Sequence, residues 1–106
     1  MNNILGTLGL CRRAGKLVSG FDAVADEVKN PKSKVYGVIL ASDISEKTEK
    51  EVRFICGKFK VPVETVNATL DEIGGVMGKR TGVIAILDKG LFKSVTKHDN
   101  KLGDTE

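Results

Sequence analysis

Residues 14–22 read AGKLVSGFD and hold the end of one helix, a short strand and the start of a second helix. Gly15 supplies the left-handed residue that closes the first helix, and the two apolar residues after Lys16 suffice only for a short strand. Ser19, with Asp22 three residues later, is typical of an N-cap and its capping-box partner. Because a helix N-terminus presents free N–H groups and a positive dipole end, we expect an anion site here, beside Lys16, that suits phosphates.

Apolar residues at helical spacing predict five helices along the chain. They lie before Gly15 and over residues 21–29, 45–59, 69–77 and 91–95. Asn30-Pro31 ends the second helix, the oxygens of residues 42–45 offer caps for the third, and Thr69 with Glu72 forms a capping box for the fourth.

Two apolar runs rich in β-branched residues predict buried central strands: VYGVILA at residues 35–41 and VIAIL at residues 83–87. Weaker strands at residues 17–18 and 61–63 belong at the edges of the sheet. Helices and strands therefore alternate, which predicts an α/β fold, a three-layer α/β/α sandwich with a small four-stranded sheet. We expect one domain over residues 1–97 and a polar, disordered tail over residues 98–106.

The bulk composition permits nucleic-acid binding without requiring it. The net charge of the 106 residues is only +3, so the grouping of the cations is more informative than their total. The cations fall into three groups beside predicted loops: Arg12, Arg13 and Lys16; Lys29, Lys32 and Lys34; Lys79 and Arg80.

Several classes of function are disfavoured by the sequence. Cys11 and Cys56 lie at apolar helical positions, which predicts buried thiols, and His98 is the single histidine. This argues against a zinc site or a histidine-based catalytic triad. No signal peptide or membrane-spanning run is recognisable, so we expect a cytoplasmic protein that is not an enzyme and uses no cofactor or metal.

Acidic residues near helix starts have simple structural interpretations. Asp43 follows a buried strand, where α/β enzymes often keep a catalytic carboxylate, but with Ser45 it is more typical of a helix cap. Asp22 and Asp26 stand four positions apart on one helix face and lack a third ligand nearby. We therefore interpret this pair as part of a solvated helix surface.

Residues 78–82 read GKRTG and predict a mobile basic loop. Lys79 and Arg80 suit phosphate contacts, although a plain surface turn explains the segment as well. In a sandwich rich in parallel strands, strand carboxyl ends and the following helix starts gather at one edge. We expect the starts of the helices at residues 20–29 and 45–59 to meet the 78–82 loop there in one anion-binding rim.

Three motifs together resemble a known family. AGKLVSG stands before a helix, ASDIS follows a buried strand, and GKRTGVIAI comes late in the chain. Over residues 3–96 the sequence resembles the kink-turn RNA-binding ribosomal proteins, which include archaeal ribosomal protein L-seven-Ae and eukaryotic L-thirty-e, and most of all the small bacterial YlxQ-type members. The resemblance implies a mixed four-stranded sheet and a non-enzymatic, ribonucleoprotein role in binding kink-turn RNA.

The resemblance also implies which residues contact RNA. In the family, the start of the second helix enters the RNA groove, and the late loop packs on a flipped-out nucleotide. Carried over by position, the implied contact residues are Lys16, Gly20, Phe21, Asp22, Ser42, Asp43, Lys79, Arg80 and Thr81. The implied partner is structured RNA. We also expect a monomer that associates with the ribosome and makes no contact with a membrane.

The recognition motif departs from the family pattern Gly-x-Asn-Glu-x-x-Lys. Here it reads GFDAVAD over residues 20–26. Asp22, which YlxQ-type members share, only accepts hydrogen bonds; Ala23 replaces the glutamate, and Asp26 replaces the lysine. Since a good base contact contributes about 1–3 kcal/mol, we expect weakened base readout. Two hypotheses stay open: an RNA-binding protein, or a protein-interaction adaptor of the same fold that has lost specific RNA readout.

Overall fold

The computed structural model describes residues 4–99, with side chains as far as residue 97. The elements are α1 (Ile4–Arg13), β1 (Leu17–Ser19), α2 (Phe21–Lys29), β2 (Gly37–Leu40), α3 (Glu46–Lys58), β3 (Val63–Thr65), α4 (Leu70–Met77), β4 (Val83–Ile86) and α5 (Lys89–Asp99). This order confirms the predicted alternation. The first two residues of the expected tail belong to α5, and residues 100–106 lie outside the described part of the chain.

Local sequence signals account for most helix ends. Gly15 has a φ of 69°, as expected of the residue that closes α1. The Ser45 side chain accepts a hydrogen bond from the Thr48 N–H at the start of α3. Thr69 and Glu72 form the predicted capping box of α4, each side chain accepting a hydrogen bond from the other residue's backbone N–H.

The sheet has the strand order β1-β4-β2-β3, so the two apolar strands are central, as predicted. Every residue of β2 and β4 is buried. β2 begins at Gly37, two residues later than the predicted strand over 35–41. Of those two residues, Tyr36 still donates its N–H to the Ile86 carbonyl, 2.9 Å away.

The strand directions correct the expectation of a sheet rich in parallel pairs. Only β2 and β3 pair in parallel, whereas β4 is antiparallel to both β1 and β2. The reversed direction of β4 brings its first residue to the edge where the other three strands end. Ser19, Leu40 and Thr65 end their strands at this edge, close to Val83 at the start of β4. We call this edge, with the helix starts and the 78–82 loop attached to it, the rim.

Helices cover both faces of the sheet, which confirms the three-layer sandwich. One core cluster joins α1, α4 and α5 to the sheet, with Leu8, Ile73 and Val95 among its fully buried members. The other joins α2 and α3 to the opposite face through residues such as Val24 and Val52. None of the helices over residues 4–99 is long and apolar enough to cross a membrane.

Both thiols lie in these cores, as predicted. Cys11 belongs to the first cluster and Cys56 to the second, and both are free thiols. Burial away from water raises the pKa of each thiol above its ordinary value of 9.0. The two cysteines therefore act as small apolar side chains in the folded protein.

Candidate nucleic-acid interface

The start of α2 lies on the rim and is fixed there by its backbone. The Gly20 N–H donates to the Val83 carbonyl at 2.9 Å, and the Gly20 carbonyl accepts from the Val24 N–H at 2.9 Å. Gly20 is the N-cap, with a φ of 98° and a ψ of 143°. A residue with a Cβ rarely adopts this conformation, so the rim depends on glycine at this position.

The prediction of Ser19 as the N-cap is wrong, and the reason is tertiary. Ser19 is the last residue of β1 and pairs with Ile84 across the sheet, so the helix begins one residue later than the local motif indicates. Gly20 has no side chain to accept a hydrogen bond, and within residues 4–97 no side chain caps the first turn of α2. Its N–H groups are therefore available to a ligand.

The starts of α3 and α4 differ from that of α2, because side chains accept hydrogen bonds from their backbone N–H groups. Ser45 caps α3, and the Thr69–Glu72 capping box closes α4. Asp43 adds a third acceptor at α4: its Oδ1 lies 2.8 Å from the backbone nitrogen of Leu70. Asp43 is thus a helix cap, as its sequence context indicated, but it caps α4 rather than α3.

The segment after β2 is attached to both of its neighbours on the rim. The Ala41 N–H donates to the Gly82 carbonyl at 2.9 Å, and the Ser42 N–H donates to the Ala68 carbonyl at 2.8 Å. The side chains of Ser42 and Asp43 are exposed. These two predicted site residues therefore lie beside the 78–82 loop, as expected.

The glycines at the two ends of the 78–82 loop have different structural roles, and the mobility of the loop stays a prediction. Gly78 adopts a left-handed conformation with a φ of 82° and closes α4. Gly82 is buried, and a Cβ there would come within 2.3 Å of Leu70 Cδ2 and 2.7 Å of Ile44 Cδ1. Gly78 is thus required by its backbone conformation and Gly82 by its close packing.

Lys79 and Arg80 are exposed, whereas Thr81 is buried. Arg80 Nε lies 2.9 Å from Asp71 Oδ1 in the first turn of α4, which orients the guanidinium along the rim. Thr81 is only 8% exposed. The prediction of Thr81 as a contact residue therefore does not hold for its side chain, which offers little surface to a ligand.

Lys16 does not lie beside the start of α2, which corrects the sequence-based expectation. It precedes β1, and its carbonyl accepts a hydrogen bond from the Leu87 N–H at the far end of β4. Four residue steps of extended chain separate it from Gly20, about 13 Å along the strand. β1 itself thus keeps the two residues at opposite edges of the sheet.

The rim combines open N–H groups with charges of both signs. Asp22 is exposed in the first turn of α2, and Asp43, Asp71 and Glu72 add further carboxylates near α4. The sequence analysis did not identify Asp71, because its pairing with Arg80 joins the first turn of α4 to the loop that follows this helix. Across the described side chains, no group of three or more His, Cys, Asp or Glu residues is arranged to hold a metal ion.

One known protein family matches nearly the whole chain. Residues 2–96 match the Ribosomal protein L7Ae/L30e/S12e/Gadd45 family. The chain belongs to this family. The resemblance inferred from the three sequence motifs is confirmed, and with it the α/β sandwich and its mixed sheet.

Relatives within the L7Ae/L30e/S12e/Gadd45 family have named roles. The RNA-binding protein YlxQ of Bacillus subtilis is 39% identical over 84 residues, which cover 78% of this chain and 81% of the relative. YlxQ of Enterococcus faecium is 34% identical over 84% of both chains. The large ribosomal subunit protein eL30 of Candida albicans is 31% identical over 83% of both. These names describe RNA-binding and ribosomal proteins, in agreement with the prediction of a protein that is not an enzyme.

Solved structures of similar fold include one described as a protein with unknown function from Bacillus halodurans. It has a TM-score of 0.82 and 31% identity, and the match covers 94% of this chain and 99% of that one. The 15.5 kD RNA-binding protein of Giardia lamblia has a TM-score of 0.70 at 18% identity, over 95% of this chain and 85% of that one. The second likeness concerns the fold alone.

Proposed function

We propose that this protein binds structured RNA of the kink-turn type at the rim, as a non-catalytic component of a ribonucleoprotein. The observation that carries the proposal is the uncapped start of α2, beside two neighbouring helix starts that side chains close. Family membership and the RNA-binding names of its relatives support it.

In this proposal, each rim residue has a distinct role. Gly20 lets an RNA backbone approach the helix start, where the N–H groups of Phe21 and Asp22 bind a phosphate or a base edge. Lys79 attracts phosphates, and Arg80, oriented by Asp71, lies against a base or a phosphate. The exposed hydroxyl of Ser42 borders the same surface. Asp43 shapes the rim through its bond to Leu70.

Phosphate contacts dominate the affinity in this proposal, because the family's base-reading residues are replaced. Ala23 has no polar side-chain atoms, and the carboxylates of Asp22 and Asp26 repel phosphates. Binding is therefore strongly salt-dependent, with the logarithm of the affinity falling in proportion to the logarithm of salt concentration. Discrimination between kink-turn and plain duplex RNA is modest.

A titration decides the proposal. Calorimetry or gel shift at low salt compares a kink-turn RNA with a plain duplex of matched length, using the native protein and the variant Lys79→Gln. We expect the kink-turn to bind more tightly and Lys79→Gln to weaken both complexes, while Lys97→Gln on α5 has no effect. An absence of binding to either RNA at low salt contradicts the proposal.

The carboxylates on the rim favour a second candidate, a protein-interaction adaptor of the same fold. Asp22 and Asp71 are exposed, and an acidic surface suits a basic polypeptide better than an RNA. The same titration separates the two functions, since an adaptor binds neither RNA. In either case we propose a monomer that acts in the cytoplasm, where its buried thiols stay reduced.

A further inference from the structure

A second cationic surface lies at the edge of the sheet opposite the rim. α2 and α3 begin at the rim and end at this opposite edge, where the segment that leads into β2 and the turn before β3 also lie. Five exposed lysines cluster here: Lys29, Lys32, Lys34, Lys58 and Lys60. We call these five residues the lysine edge.

The lysines of this edge have no acidic partners. Among the described side chains, the ion pairs are Arg53 with Glu49 and Arg80 with Asp71, and neither involves the lysine edge. Lys58 instead lies over the ring of Phe54, 5.5 Å from its centre. On α2, the Glu27 carboxylate accepts a hydrogen bond from the Ser33 hydroxyl. The five lysines of this edge therefore outnumber its acidic groups, among them the Glu27 carboxylate, and the described side chains form no ion pair there.

An open groove of about 320 Å³ runs through the lysine edge. Tyr36 and Phe59 line it, together with Lys34, Pro31 and the acidic residue Glu27. Tyr36 is 37% exposed and Phe59 is 46% exposed. Neither residue belongs to either of the two core clusters. Exposed rings among unpaired lysines are the combination by which proteins bind single-stranded nucleic acids, through base stacking and phosphate attraction.

Lys60 occupies a backbone position at which glycine is the usual residue. After α3, the Val61 N–H donates to the Cys56 carbonyl at 2.9 Å and the Lys60 N–H donates to the Gly57 carbonyl at 3.3 Å. This pattern is a Schellman motif, with Lys60 at the left-handed position and a φ of 59°. A Cβ disfavours that conformation, so the lysine has no local conformational reason to be there.

We propose that the lysine edge is a second nucleic-acid surface, which binds a single-stranded RNA segment. Its lysines contact successive phosphates, and a base stacks on Tyr36 or Phe59 within the groove. Tyr36 and Ser42 are separated by six residue steps, about 20 Å of extended chain, so the two surfaces lie on opposite edges of the molecule. The protein can thus hold two RNA segments, and this inference does not require kink-turn binding at the rim.

The first test measures the affinity for a fluorescent single-stranded RNA of about twelve nucleotides, within the range of known single-strand sites. The variant Lys32→Gln/Lys34→Gln is compared with Lys93→Gln/Lys97→Gln, which removes the same charge from α5 on the other face of the sheet. We expect the first to weaken binding about tenfold and to reduce the salt slope by about 1.4, or 0.7 for each lost phosphate contact. Equal effects of both variants overturn the proposal.

The second test separates binding from folding. Lys60→Gly removes a charge and relieves the left-handed backbone, so we expect weaker RNA binding with a melting temperature that is not lowered. Phe59→Ser removes the stacking ring and weakens binding at least fivefold, in line with the effect of losing one stacked base. Unchanged affinity in both variants contradicts a role for the groove.

The third test asks which class of polymer the surface selects. Poly-glutamate is added as a competitor to the complex of the native protein with the RNA oligonucleotide. If it displaces the oligonucleotide as well as an equal weight of unlabelled RNA does, the result contradicts an RNA surface and indicates an acidic protein partner. A kink-turn duplex without single-stranded ends is titrated against Lys32→Gln/Lys34→Gln in parallel. We expect its affinity to be unchanged, which separates failure of the lysine edge from failure of the rim.

Discussion

Asp43 Oδ1 accepts a hydrogen bond from the backbone N–H of Leu70 at 2.8 Å, across 27 positions of sequence. This bond joins the segment after β2 to the first residue of α4 and supplements the Thr69–Glu72 capping box at that helix start. It therefore fixes part of the rim on which the proposed RNA surface is built, and its removal has a predictable cost.

Asp43→Ala removes that cap, and we expect it to lower the free energy of unfolding by about 1–2 kcal/mol. Urea denaturation followed by circular dichroism measures the change. Asp26→Ala is the matched control, because Asp26 is exposed on α2 and takes no part in a cap. A cost for Asp43→Ala no larger than that of the control contradicts the importance of the bond.

Two adjacent glycines of α4 should respond oppositely to alanine. A Cβ on Gly74 would lie 2.9 Å from the Arg80 Cα, whereas a Cβ on Gly75 meets nothing within 4 Å. We expect Gly74→Ala to destabilise the protein by about 1–3 kcal/mol by displacing the 78–82 loop. Gly75→Ala should stabilise it by about 0.5–1 kcal/mol through helix propensity. Thermal melting of both variants checks the prediction, which fails if they change in the same direction.

Restoring the family residues on α2 should increase RNA affinity. Ala23→Glu and Asp26→Lys together bring back a base-reading carboxylate and a phosphate-binding cation on exposed positions. Because each good base contact contributes about 1–3 kcal/mol, we expect the double variant to bind a kink-turn at least tenfold more tightly than the native protein. Calorimetry measures it, with Glu51→Gln at an exposed position of α3 as the control for charge alone, because it also raises the net charge by one. An equal gain from the control shows that added charge, not base readout, is responsible.

The buried thiols predict a loss of stability in alkali. Burial raises the pKa of Cys11 and Cys56 above 9.0 in the folded state, while the thiols of the unfolded chain ionise near their ordinary value. Above that pH the unfolded state binds fewer protons than the folded state, so the free energy of unfolding falls as pH rises. Below it, the thiols contribute no pH dependence.

Each thiol steepens this fall by up to about 1.4 kcal/mol per pH unit. Urea denaturation between pH 8 and pH 10.5 measures the slope, and Cys11→Ala/Cys56→Ala should have a shallower one even though its cavities lower the stability at every pH. Identical slopes for the two proteins mean that the thiols are not the source.

Local signals in the sequence were sufficient to predict the helices and strands and their order. Ser45 and the Thr69–Glu72 pair cap helices through bonds that span three residues, and such spacing is readable without any tertiary information. The apolar runs around Val38 and Ile84 likewise identified the central strands. The three motifs AGKLVSG, ASDIS and GKRTGVIAI also identified the family.

Contacts between distant segments explain what the sequence did not reveal. Ser19 looks like an N-cap until β4 pairs with it and moves the helix start to Gly20. Only three residues separate Lys16 from that helix start in sequence, which suggested that the two are adjacent. Those three residues form the extended strand β1, and its length holds Lys16 and Gly20 far apart. The lysine edge combines two segments, residues 29–34 and residues 58–60, of which only the first formed a recognisable cluster in the sequence.

The position of β4 has a consequence for how the protein is made. β1 hydrogen-bonds only to β4 within the sheet, and β4 comes after most of the chain in sequence. While the nascent polypeptide emerges from the ribosome, β1 therefore has no partner until residues 83–86 have cleared the exit tunnel. Completion of the sheet, and assembly of the rim that includes Gly20 and Gly82, must await the emergence of β4.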